Sequence, residues 1–156
     1  PDGRFGLYIN SQQSVTFTRP ELGCADPSGV EYGSGCTGVL GLEPRLSSCG
    51  GAVPGQPFSL VLSNCVGGSA STIVLGTSRL TVPLGSGCTL LVGNFLGDFG
   101  FLAVPGAAPQ NSFSQLTVGL PTTLPTGANL NFQGATLDPT DPQGFILSKG
   151  YEVTVR

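Results

Sequence analysis

At 156 residues, with 39% hydrophobic side chains, the chain is long enough for one domain with a sizeable core; only 10% of its residues are charged, so Ser, Thr, Asn, Gln, Gly and backbone must cover its surface. The net charge is −3 and the basic residues never cluster, which excludes binding to a phosphate backbone; no apolar run is long enough for a membrane span. The absence of histidine rules out Ser-His-Asp and Cys-His catalysis.

The chain starts at Pro1 without a charged-then-apolar leader, as expected of a processed chain or a fragment. Phe5, Leu7 and Ile9 alternate with polar or small residues, and Val15 and Phe17 do the same between Ser14, Thr16 and Thr18. Residues 1–30 read as an extension with one or two strands, able to pair within the chain or to add to a neighbour's sheet. Residues 21–44 lack periodicity and read as a linker or extended crossing that carries Cys24 and Cys36.

A module over residues 31–156 then shows strand after strand. Leu46 to Cys49 is short, and Gly50 to Gly55 is a turn cluster. Phe58, Leu60 and Leu62 alternate with Ser59, Val61 and Ser63, and Thr72 to Leu75 forms another strand. Leu80, Val82 and Leu84 alternate around Pro83, which points to an edge position. Thr89 to Val92 is continuous and apolar. The glycine-broken stretch from Asn94 carries Phe95, Phe99 and Phe101, which either plug one end of the fold or form an exposed partner surface.

Leu116, Val118 and Leu120 alternate up to Pro121, and Leu130 and Phe132 lead to Gly134, where the apolar phase shifts to Ala135 and Leu137 as at a bulge. Asp138 to Pro142 is a turn, and Tyr151, Val153 and Val155 alternate in the last strand. No window has helical spacing. Period-two alternation with Gly and Pro between strands predicts an all-β, antiparallel sandwich of the Ig-like or jelly-roll-like kind.

The five cysteines contain no C-x-x-C pair, and in a chain of this type they point to disulfides formed in an oxidising compartment, with one thiol over. Asp138 and Asp141 both precede proline, so a structural turn is the leading reading and calcium the minor one. No other metal ligand or cofactor set stands out. Tryptophan is absent and there are three tyrosines, so glycan recognition would rest on polar side chains.

Tyr32-Gly-Ser-Gly-Cys36, Phe58-Ser-Leu-Val-Leu-Ser-Asn64, Gly87-Cys88, Leu130-Asn-Phe-Gln133, Leu137-Asp-Pro139 and Leu147-Ser-Lys-Gly150 occur in that order. Together they resemble the C-terminal module of many secreted or surface proteins of planctomycete-like bacteria, over about residues 31–156. Lys149 replaces the usual Asn, and Cys24, Cys49 and Cys65 are additional. The resemblance implies a non-catalytic extracellular module with a Cys36–Cys88 bridge. Of the remaining cysteines, Cys49 and Cys65 border the strand at Phe58 and are the next expected pair. A simple hairpin would put them out of register, which leaves Cys24 open to either.

The functional expectation is a secreted, non-enzymatic structural protein, a subunit of a cell-surface or extracellular fibre built by strand addition. Phe5, Leu7, Ile9, Val15, Phe17, Phe95, Phe99 and Phe101 are its candidate interface, and its partner is another copy or another surface protein. The second expectation is a carbohydrate-binding or adhesion module.

Overall fold

The computed structural model describes residues 29–38, 41–107 and 112–156. Among the described residues there are nine strands and no helix: β1 (Gly29–Tyr32), β2 (Arg45–Cys49), β3 (Pro57–Cys65), β4 (Ala70–Gly85), β5 (Cys88–Asp98), β6 (Leu102–Ala103), β7 (Ser112–Gly119), β8 (Asn129–Leu137) and β9 (Phe145–Thr154). All pairings are antiparallel. The larger sheet runs β1-β9-β8-β4-β5 with β6 also on β4; the smaller runs β2-β3-β7.

Alternation explains why the two sheets pack as a sandwich. Phe58, Leu60 and Leu62 on β3 are fully buried, while Ser59, Val61 and Ser63 between them are only partly so. They face Ile73, Leu130, Phe132, Tyr151 and Val153 of the larger sheet in one core. The Phe58 and Phe132 rings lie 6.0 Å apart, tilted by 35°. Each such side chain contributes about 1.5–3 kcal/mol if fully buried.

The structure departs from the periodicity in three places. The region read as a linker forms β1, which pairs with β9 from Gly29↔Val153 to Tyr32↔Gly150. The phase shift at Gly134 is real, but the extra residue lies opposite it on β9, between Leu147 and Gly150. A side chain on Gly134 would collide with Leu62, so the glycine also lets the two sheets approach. Thirdly, the stretches around Thr72 and Leu80 are one strand, β4, of 16 residues.

Only Ser71–Gly76 of β4 pairs with β8; beyond Gly76 it pairs with β5 alone, as a two-stranded arm that includes Pro83. Its tip is a two-residue loop, Ser86-Gly87, with φ of 46° and 78°, the left-handed pair that a tight hairpin requires. The arm lies over the outer face of the larger sheet. Gly76 and Gly93 sit where it bends, and a Cβ on Gly93 would lie 2.7 Å from Ser78 Oγ.

Several contacts hold the arm down. Cys36 is bonded to Cys88 with Cα atoms 4.7 Å apart, as expected, beside the buried Ile146 and Leu147. The Tyr32 hydroxyl donates to Leu91 O at 2.9 Å. Arg79 donates twice to Glu152, at 3.0 and 2.8 Å, with its guanidinium 4.5 Å from the Tyr32 ring centre.

The expected Cys49–Cys65 bridge is not formed. Cys65 is a buried free thiol, and Cys49 is disulfide-bonded elsewhere. Register is the reason: Cys49 lies opposite Ser59, and Cys65 is about 20 Å further along β3. Cys24 lies outside the described residues.

Candidate interaction surface

Reactive chemistry is sparse. Among the described residues, no three His, Cys, Asp or Glu side chains gather as a metal-binding group. Burial pushes the Cys65 thiol up to about 11 and the Tyr32 hydroxyl up to about 12, so both stay protonated at neutral pH. Cys65 is therefore not a thiolate nucleophile. Glu152 raises the Arg79 pKa by hydrogen bonding.

Among the described residues the strand orders end at β1, β5, β2 and β7, and of these edges β7 borders the partly buried rim of the core. It pairs with β3 from Pro57↔Gly119 to Cys65↔Ser112, and among the described residues no strand occupies its other side. Alternation along β7 buries Ser114 and half-buries Leu116 and Val118, while Phe113, Gln115 and Thr117 are exposed. Ser114 Oγ and Ser71 Oγ are 2.7 Å apart, which places β7 over β4. Leu75, Phe99, Leu102, Leu116 and Val118 pack on the core but are only partly buried. Eight residues of edge backbone thus run beside a thinly covered core, an arrangement that invites another strand.

The three phenylalanines of the glycine-broken stretch divide. Phe99 folds back onto the core, and its N–H donates to Ile73 O at 3.1 Å. Phe95 and Phe101 remain 61% and 78% exposed, together with Leu96 at 62%. Leu96 escaped the sequence reading because it is the extra residue where the β4–β5 register shifts. Phe113, 45% exposed, sits on the open strand and was likewise not singled out. Phe5, Leu7, Ile9, Val15 and Phe17 lie outside the described residues.

Asp138 and Asp141 occupy the β8–β9 turn, as the Asp-Pro pattern implies. Asp138 is buried and accepts from the N–H and hydroxyl of Thr140. Asp141 Oδ1 accepts from Gln143 N–H at 2.9 Å. The chain matches no protein-family model and no curated protein.

Proposed function

We propose that this chain is a non-catalytic structural subunit of a cell-surface or extracellular assembly, in which an extended segment of a neighbouring subunit pairs with the open edge of β7. The observation that carries this reading is that edge, an eight-residue strand that has no partner on one side among the described residues, above a partly covered core. A strand added there would make backbone hydrogen bonds worth about 0.5–1.5 kcal/mol each, net, and cover the apolar rim. The alternating residues 1–20, with Phe5, Leu7 and Ile9 or Val15 and Phe17 on one face, are the donor by composition. The Cys36–Cys88 bridge fits an oxidising compartment, and no helix among the described residues is long and apolar enough to cross a membrane. The resemblance of the ordered motifs to planctomycete-like surface modules implies the same setting.

Deleting residues 1–20 tests the reading. The truncated protein is expected to stay folded by circular dichroism, to lose higher-order assembly by sedimentation and electron microscopy, and to bind a synthetic peptide of residues 1–20. Unchanged assembly, or unfolding of the truncated chain, would overturn it.

A second reading, a carbohydrate-binding or adhesion module, draws on the exposed rings of Phe95 and Phe101. It predicts glycan-array binding that Phe101→Ala abolishes.

A further inference from the structure

Three contacts between the sheets fix which strand lies over which. Ser48 Oγ and the Tyr151 hydroxyl are 2.9 Å apart, so β2 lies over β9. A side chain on Gly134 would meet Leu62, so β3 lies over β8, and the Ser71–Ser114 contact puts β7 over β4. The larger sheet therefore overhangs the smaller on both sides. On one side the overhang is β1, whose Glu31 is paired with Arg45 of β2 at 2.8 Å. On the other it is β5 and β6, next to the open edge of β7.

The two sides differ in what they offer. The first described strand begins at Gly29, opposite Val153 near the end of β9, so residues 1–28 are attached on the β1 side. The open edge of β7 is on the other. The β2–β3 and β7–β8 loops lie between them at that end of the sandwich. They are joined by Gly55 N–H to Leu120 O at 2.8 Å, and Gly127 N–H donates to Val155 O just past β9, also at 2.8 Å. A segment reaching β7 of its own chain would have to round these loops. A neighbour whose β1 side faces this β7 side reaches the edge directly.

The lengths also match. Ser114, Leu116 and Val118 point inward along β7, and Leu75, Phe99 and Leu102 are partly buried on the β4–β6 side. Phe5, Leu7 and Ile9 repeat that spacing, apolar at every second position over the same number of residues. Val15 and Phe17 offer only two such positions, between Gln13 and Arg19.

From this placement, and resting on the strand-addition reading above, we infer that residues 5–9 of one copy pair with residues 114–118 of the next, and that copies join head to tail. Donor and acceptor are different surfaces of the subunit, so the contact is heterologous. Each copy gives its strand to one neighbour and takes a strand from another.

Mixing the intact protein with a copy lacking residues 1–20 tests this. The truncated copy keeps the acceptor but has no donor, so it ends a series. Sedimentation should show assemblies larger than dimers, whose mean size falls roughly in inverse proportion to the truncated fraction. In the full-length chain, Leu7→Asp should abolish assembly with circular dichroism unchanged, and Phe17→Asp should leave assembly as it is. An intact protein that is a dimer, dissociated by Leu7→Asp, would overturn the head-to-tail inference while strand addition stands, the two copies then exchanging segments reciprocally. Loss of assembly in Phe17→Asp would overturn the assignment of residues 5–9. A monomeric intact protein, or assembly indifferent to the truncated copy and to both variants, would overturn strand addition itself.

Discussion

Gln133 faces away from the main core, between Phe132 and Gly134, and by alternation alone it belongs to a wet surface. The arm makes it interior. Its Oε1 accepts from Leu91 N–H at 2.9 Å, and its Nε2 donates to Thr89 O at 2.8 Å and to Ser148 O at 2.9 Å. One side chain thus serves backbone groups on β5 and β9 at once. Gln133→Leu would leave those groups unpaired, and at about 1–3 kcal/mol per buried group the unfolding free energy in urea should fall by about 3 kcal/mol or more. Cys65 gives a pH signature of its own. Its folded pKa, pushed up to about 11 from 9.0 by burial, favours the neutral thiol. That contribution is complete below about pH 9 and disappears as the pH rises through 11. Stability measured over that range should decline more steeply in the parent protein than in Cys65→Ala.

At the level of elements, legibility followed the number of faces a strand buries. β3 and β9 each have one side against the core, so alternating residues such as Phe58, Leu60 and Val153 disclosed them. β1 was hidden because its four residues pair at an edge and Val30 stays 54% exposed, which leaves no apolar period to detect. The arm was hidden for another reason: Gly76 interrupts the pattern, and where β4 continues beyond it, Leu80, Val82 and Leu84 are each about two-fifths exposed. The open edge of β7 could not be read from the sequence, since which strands lack a neighbour is a property of topology. The bend itself is testable. A methyl group on Gly76 would meet Gly93 O, a backbone atom with little room to yield, and would lie 2.6 Å from Val92. Gly76→Ala should therefore cost about 1–3 kcal/mol in thermal or urea unfolding. Gly87→Ala meets no atom nearby, but its φ of 78° strains the hairpin tip.

For the molecule as a whole, the Cys36–Cys88 bridge closes a separation of 52 residues. Chain-entropy arguments assign such a loop about 4 kcal/mol, so the double variant Cys36→Ala/Cys88→Ala should lose about that much while keeping its strand signal in circular dichroism. The strand order has a consequence for how the protein is made. The larger sheet is centred on β8 and β9, and its first strand, β1, has β9 as its partner. A nascent chain that has reached residue 128 holds every strand of the smaller sheet, β2-β3-β7, and the β4–β5 hairpin with β6, but not the β8 and β9 on which the larger sheet closes. Translation must pass β9 before the two layers can meet. Until then the strands already made lack the partner layer that would bury their apolar faces. Chains stalled at residue 128 should accordingly be digested by protease under conditions in which the released protein resists it.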